Sequence, residues 1–263
     1  MQFQAAAYTD TGNKKRVNQD GLNITMAHTT TGDMAMLVVC DGVGGLSLGE
    51  FASAQAVRSY TRWFRERLPQ IIDEKMLTTA YMEKEWRMLA ADINQELLRY
   101  GEEHGTQLGT TLTAALVTQQ EYDIIHIGDS RAYMLTDQAA QLTTDQTLIN
   151  REIMMGHITP EQAQTDSRKH ILLQCLGINP QIEPQFLSGK MMPGAGILLC
   201  TDGLSNRLDA VELYELVHMG QQPERNVMER NLQEMTQLCR QRGESDNISA
   251  VLLRSSLQNM YEG

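Results

Sequence analysis

Two hydrophobic runs limit most strongly what this chain can become. "VVCDGVGG", residues 38–45, and "ILLCTDGLSN", residues 197–206, each lead an aliphatic segment straight into Asp-Gly. An apolar run that stops at Asp-Gly reads as a buried strand ending in a turn, because glycine tolerates backbone angles that other residues resist. A hairpin explains one such end. A second copy, and the crowding of Gly42, Gly44 and Gly45 behind Asp41, point to a place where strand ends gather.

The rest of the chain alternates in clusters. Residues 3–9, 21–27 and 34–40 read as strands, and two helical blocks follow at 49–68 and 76–103. The first block sets Phe51, Ala54, Val57, Phe64 and Leu68 on an apolar stripe, with Arg58, Arg62 and Arg65 outside it. The second repeats the pattern with Leu77, Trp86, Leu89, Ile93 and Leu97, so the two form an antiparallel helical hairpin. Strands return at "TTLTAALVT", "YDIIHIGDS" and "RAYMLT", joined by short polar turns that favour antiparallel pairing. Residues 145–193 show broken helical pieces, several prolines and no sustained period. The strand "GILLCTD", helical blocks at 210–219 and 224–242, and the strand "NISAVLLR" close the chain. Clusters of strands and helices, without a βαβ rhythm, predict an α+β fold: an antiparallel β-sandwich flanked by helix pairs, in α-β-β-α layers. At 263 residues a single domain, 1–263, is expected.

In such a sandwich the strand ends line one edge, and aspartates stand there: Asp41 in "CDG", Asp129 in "GDS", Asp202 in "TDG", Asp246 in "SDN", and Asp20 in "NQD" before the second strand. Carboxylates drawn together repel and lose hydration, so the set needs a cation. An all-oxygen set with no adjacent His or Cys suits Mg²⁺ or Mn²⁺ and argues against zinc.

Composition narrows the partners. Lys and Arg total 22 against 33 Asp and Glu, a formal charge of -11, which disfavours nucleic acid and anionic lipid. There is no apolar run long enough to span a bilayer and no secretory pattern at the N-terminus, so a cytoplasmic protein without membrane attachment is expected. Cys40, Cys175, Cys200 and Cys239 lack zinc-site spacing and read as buried, reduced thiols. His126 alternates into a strand between Ile125 and Ile127, which favours a structural role, while His104, His157 and His170 read as residues of loops or of an irregular segment beside the sheet.

The series "NQDG", "CDGVGG", "GTTLTAAL", "HIGDSRAYML", "LTTDQTL", "LLCTDGLSN" and "SDNISAVLL", in this order, resembles the metal-dependent protein serine/threonine phosphatases of the type 2C or PPM family, in their compact bacterial form. The resemblance implies hydrolysis of phosphoserine and phosphothreonine in proteins by a metal-activated water at a binuclear Mn²⁺ or Mg²⁺ centre. By motif, Asp41 resembles the carboxylate that bridges two metals, with Gly42 offering its backbone carbonyl. Asp202 and Asp246 resemble further ligands, and Asp20 would hold metal-bound water. Asp129 resembles the residue that, with Asp202, binds a weaker third ion. The irregular stretch at 147–182 takes the place of the family's flap. Phosphoproteins and an opposing Ser/Thr kinase pathway are the implied partners, and a monomer is expected.

The chain also departs from the family pattern. The phosphate-binding arginine ahead of Asp20 is replaced by Lys15, with Arg16 beside it, and either can serve. Val43 and Leu46 stand where relatives place a histidine that protonates the leaving alkoxide, which leaves that proton to metal-bound water. These departures motivate a second reading, a catalytically silent phosphoprotein-binding module of the same fold. The retained aspartates favour the enzyme, because gathering them without metal is costly. A two-metal nuclease fits neither the acidic charge nor the motif order.

Overall fold

Strand β3, Gly32–Gly44, shows how the sequence sorts its side chains. Successive residues of a strand face opposite ways. Met34, Met36, Val38 and Cys40 turn toward helices, whereas Ala35, Leu37 and Val39 turn into the space between two sheets, and all of them are buried. The structure, a computed structural model, describes residues 2–44, 48–217 and 224–256.

The remaining strands are β1 (Phe3–Asp10), β2 (Asp20–Thr29), β4 (Leu108–Thr110), β5 (Leu112–Thr118), β6 (Glu121–Ile127), β7 (Arg131–Leu135), β8 (Ala139–Gln141), β9 (Gln185–Lys190), β10 (Gly196–Cys200) and β11 (Ile248–Ser255). One sheet runs β1-β11-β10-β7-β8, the other β2-β3-β5-β6-β9 with β4 also on β3. The pairings along both sheets are antiparallel. Helices α1 (Leu48–Glu66), α2 (Leu68–Asp73) and α3 (Thr79–His104) cover the second sheet. The chain then forms α4 (Leu148–Met154), α5 (Pro160–Thr165) and α6 (Asp202–Ser205). Helices α7 (Ala210–Val217) and α8 (Arg225–Gln241) cover the first sheet. Three apolar cores result, one between the sheets and one under each helical layer, which is the expected α-β-β-α sandwich. Among the described residues no helix is long and apolar enough to cross a membrane.

Several details differ from the sequence reading. The buried face of α1 is Ala52, Ser53, Ala56, Tyr60, Trp63 and Phe64, with Phe51 and Val57 at its margin and Ala54 half-buried. Small residues let the helix lie close on the sheet, and Tyr60 and Trp63 set their rings edge-on to Trp86 at 5.6 and 5.5 Å. Arg58, Arg62 and Arg65 are exposed as expected. Helix α3 begins at Thr79 because the Thr78 side chain accepts the Tyr81 N–H as its N-cap. Strand β9 lies inside the stretch read as irregular. It is an edge strand, "QFLSGK", paired among the described residues only with β6 and only partly buried, so its sequence carries little alternation. His104 ends α3 and stacks on Tyr100 at 4.0 Å, so it is no loop residue. Residues 218 and 219 of the helix expected at 210–219 lie outside the described residues. All four cysteines are buried and free.

Candidate functional site

The alternation that sends Ala35, Leu37 and Val39 inward continues to Asp41, placing it where the inter-sheet space ends. Asp20 is its cross-strand partner, on the face that carries Leu22 and Ile24 into the same core. From the opposite sheet β10 brings Ile197 and Leu199 inward, and Thr201 follows them. Thr201 Oγ1 donates to Asp20 Oδ2 at 3.0 Å, tying the two sheets together at this edge. Asp202 then opens α6, Asp129 sits in the β6–β7 turn, and Asp246 in the turn before β11.

Two turns are fastened to each other here. Asn247 Oδ1 accepts the Gln19 N–H at 2.9 Å, and its Nδ2 donates to the carbonyls of Thr11 and Val17. The loop carrying Lys15 and Arg16 is therefore held against the Asp246 turn. A Cβ at Gly12, whose φ is +74°, would collide with the Asp246 carbonyl. Glu244 Oε1 accepts the N–H groups of Ser245 and Asp246 at 2.6 and 2.9 Å, while Arg207 pairs with its other oxygen.

All five aspartates keep some exposed surface, yet Asp20 Oδ1 and Asp202 Oδ1 are shielded and, among the described residues, have no hydrogen-bond partner. Burial pushes Asp41 well above the usual carboxylate range, and the charges of Asp20, Asp202, Asp129 and Asp246 push it further. Burial raises Asp20 to about 7 against the pull of hydrogen bonds from Ser249 and Thr201. Asp129 rises to about 8 through burial, then Asp202 and Asp145. Asp202 rises by burial, then Asp246 and Glu244, with His170 opposing. These groups favour either protons or a cation. Among the described residues no three His, Cys, Asp or Glu side chains stand close enough to enclose an ion alone. A sparse, all-oxygen set fits an ion that keeps several waters and takes one or two carboxylates, as Mg²⁺ does.

Lys15 belongs to the cluster, with Nζ 2.7 Å from Asp246 Oδ1. Burial works against its charge, but Asp246, Asp41 and Asp202 together raise its pKa. Arg16 is exposed and among the described residues takes part in no ion pair. At Gly42 a Cβ would strike the Gly49 carbonyl and lie 2.6 Å from the Gln19 carbonyl. Glycine is required because the start of α1 and the loop before β2 pass against it. Val43 lies on β3, whereas Gly45 and Leu46 fall outside the described residues.

Sequence reasoning missed part of the surroundings. A cavity of about 200 Å³ opens beside Asp129 and Asp202, walled by Arg131, Asp145, Lys169 and His170 among others. Arg131 is committed to Asp145 through a two-pronged pair, with contacts of 2.9 and 2.6 Å. Lys169 and His170 come from the segment after α5, where no periodicity shows which way a residue faces. His126 is sealed between the sheets against Thr113 at 2.9 Å, and burial lowers it to about 4, in keeping with the structural role expected.

The family described as Protein phosphatase 2C matches residues 11–252. The chain is 30% identical over 252 residues to the serine/threonine phosphatase stp of Listeria monocytogenes, covering 95% of this chain and 94% of that one. The crystal structure of serine/threonine phosphatase Stp1 from Staphylococcus aureus aligns at a TM-score of 0.83 with 27% identity, covering 98% of this chain and 96% of that one. The catalytic domain of protein phosphatase PstP, solved with 2 manganese ions, aligns at 0.76 with 25% identity, covering 97% and 99%. A match across nearly the whole chain, on the fold and motif order just described, means that the protein belongs to the protein phosphatase 2C family of serine/threonine phosphatases.

Proposed function

We propose that this protein removes phosphate from phosphoserine and phosphothreonine in proteins at a divalent-metal centre held by Asp20, Asp41, the Gly42 carbonyl, Asp202 and Asp246, with Asp129 and Asp202 taking a weaker third ion. The observation that carries this reading is the convergence of buried carboxylates at one edge: four are pushed upward in pKa, and among the described residues Asp20 Oδ1 and Asp202 Oδ1 have no hydrogen-bond partner. Mn²⁺ or Mg²⁺ suits this donor set, and the manganese in the PstP structure supports the choice. Bound there, such ions lower the pKa of water and neutralise charge on the phosphoryl oxygens.

The chain's own residues supply position and charge. β3 fixes Asp41, Thr201 orients Asp20 across the sheets, and the Glu244 and Asn247 contacts hold Asp246 facing Lys15. Lys15 is the cation that meets the substrate phosphate, because it already stands in the field of Asp246, Asp41 and Asp202. Val43 supplies no proton to the leaving alkoxide and His126 is sealed away, so neither is its donor. The segment at 147–182 acts as a flap that brings Lys169 and His170 to the cavity beside Asp129. Phosphorylated proteins are the partners, made by an opposing Ser/Thr kinase.

Turnover of a phosphothreonine peptide with Mn²⁺, Mg²⁺ or chelator tests the reading. Activity is expected only with added ion, lost in EDTA and restored by Mn²⁺. Full activity in excess EDTA overturns the metal centre, and peptide binding without turnover in Mn²⁺ points to the silent module. Lys15→Ala is expected to lower kcat/KM roughly 10- to 100-fold, mainly through KM, as for a lost charge-assisted hydrogen bond. Arg16→Ala should stay near wild type, and the opposite pattern transfers the role to Arg16.

A further inference from the structure

The β3–β5 ladder keeps one register from Met34↔Thr118 to Val39↔Thr113, and the β3–β4 pairing takes it up again at Gly42↔Thr110. Continued through the gap, that register sets Thr111 opposite Asp41. Directly opposed residues at such a point exchange two backbone hydrogen bonds. One is made, from the Thr111 N–H to the Asp41 carbonyl at 2.9 Å. In the other, the Asp41 N–H donates instead to the Thr111 side chain, Oγ1 at 2.8 Å. The Thr110 hydroxyl lies 3.0 Å from both the Asp41 and the Thr111 carbonyls, so it covers the group that the ladder leaves behind.

The Thr111 hydroxyl continues to a second partner. It shares a 2.8 Å hydrogen bond with Ser130 Oγ, and Ser130 directly follows Asp129. The same side chain also touches the other neighbour of Asp129: a Cβ at Gly128, whose φ is +108°, would lie 2.6 Å from Thr111 Cγ2. The Ser130 carbonyl accepts the Thr113 hydroxyl at 3.2 Å, and Thr113 is bonded to His126 Nδ1 at 2.9 Å. Thr113 has one proton to give, so with it on the Ser130 carbonyl the contact with His126 is one in which the Nδ1–H donates. Thr110, Thr111, Thr113, His126 and Ser130 are fully buried, so solvent does not stand in for a lost hydroxyl.

We infer that Thr111 and Ser130 are positioning residues: their paired hydroxyls hold the backbone of Asp41 and the turn of Asp129 in one frame. The inference rests on the reading of these aspartates as metal ligands. It assigns to Thr111 a duty that strand packing does not require, since valine has the same shape. Groups that orient ligands from behind typically contribute 10- to 100-fold in metal affinity.

Calorimetric titration of Mn²⁺ into wild type, Thr111→Val, Thr111→Ser and Ser130→Ala tests it, alongside metal-free melting. Thr111→Val keeps the methyl against Gly128 and loses the hydroxyl, and it is expected to fold and to bind Mn²⁺ roughly 10- to 100-fold more weakly. Thr111→Ser keeps the hydroxyl and should bind close to wild type. Ser130→Ala should weaken binding in the same direction, and it carries the test if Thr111→Val does not fold. Wild-type Mn²⁺ affinity in Thr111→Val, or in Ser130→Ala if that variant carries the test, overturns the inference. Absence of Mn²⁺ binding in the wild type itself instead overturns the metal reading on which it stands.

Discussion

Asp41→Asn is expected to lower phosphopeptide turnover by roughly 10³-fold or more while raising the melting temperature of the metal-free protein. The first effect follows from loss of a charged residue that would hold the proposed centre, which would be worth several kcal/mol in the transition state. The second follows from the same charge. Burial and four neighbouring aspartates oppose ionisation of Asp41, so a side chain of the same shape that is neutral without taking up a proton removes that cost from the folded state. The backbone contacts to Thr110 and Thr111 do not depend on the carboxylate and remain. Asp202→Asn should follow both trends, since it too is raised by burial and by Asp246. Asp246→Asn separates them: it should lose activity without gaining metal-free stability, because its carboxylate is paired with Lys15 at 2.7 Å. Paired kinetics and melts in EDTA and in Mn²⁺ read both effects. Turnover within tenfold of wild type would remove Asp41 from the ligand set, and a lower metal-free melting temperature would mean that the carboxylates do not strain the fold.

Much of this was legible in the sequence because two simple periods carry it. Alternation along β3 separates Met34, Met36 and Val38 from Ala35, Leu37 and Val39, and extending it by one step aims Asp41 into the cleft. Asp-Gly at strand ends marked the edge, and the pairing of Asp20 with Asp41 in the register brought the carboxylates together. What stayed hidden depends on neighbours distant in sequence. The need for glycine at position 42 comes from Gly49 and Gln19, and no local rule names them. Large apolar residues alone do not mark the face of α1, because the small Ala52, Ser53 and Ala56 are buried there as well. Thr111 looks like any strand threonine until its hydroxyl is seen replacing a ladder carbonyl. Lys169 and His170 lie in a stretch without periodicity, and only the tertiary fold turns them toward Asp129 and Asp202.

Between about pH 6.5 and 8 the metal-free protein is expected to lose stability as pH rises, and Mn²⁺ is expected to reverse the trend. Asp20 at about 7 and Asp129 at about 8 titrate far above their unfolded value of 3.8. The folded state therefore holds protons in this window that the unfolded chain has already released. Their contribution is complete below the unfolded pKa and disappears as pH climbs through the folded values. His126 acts in the opposite sense, since burial lowers it to about 4 from 6.5, but most of its effect falls below the window and only a small remainder extends above pH 6.5. The surface carboxylates Asp166 and Glu212, lowered to about 2 mainly by Arg168 and Arg242, titrate below it. At about 1.4 kcal/mol per pKa unit, Asp20 and Asp129 together account for a loss on the order of 2 kcal/mol across the window, or a fall of about 4–8 °C in melting temperature. Saturating Mn²⁺ needs the ionised carboxylates, so its stabilisation grows with pH and the two curves should diverge. Asp129→Asn should flatten the metal-free slope more than Asp20→Asn does, because the pKa of Asp129 lies at the top of the window. Asp123→Asn should leave the slope nearly unchanged, since burial lifts Asp123 only to about 6. A metal-free melting temperature that is flat or rising over this range, or an Asp129→Asn slope equal to that of wild type, would show that the aspartates are not gathered in the strained arrangement from which the metal centre is argued.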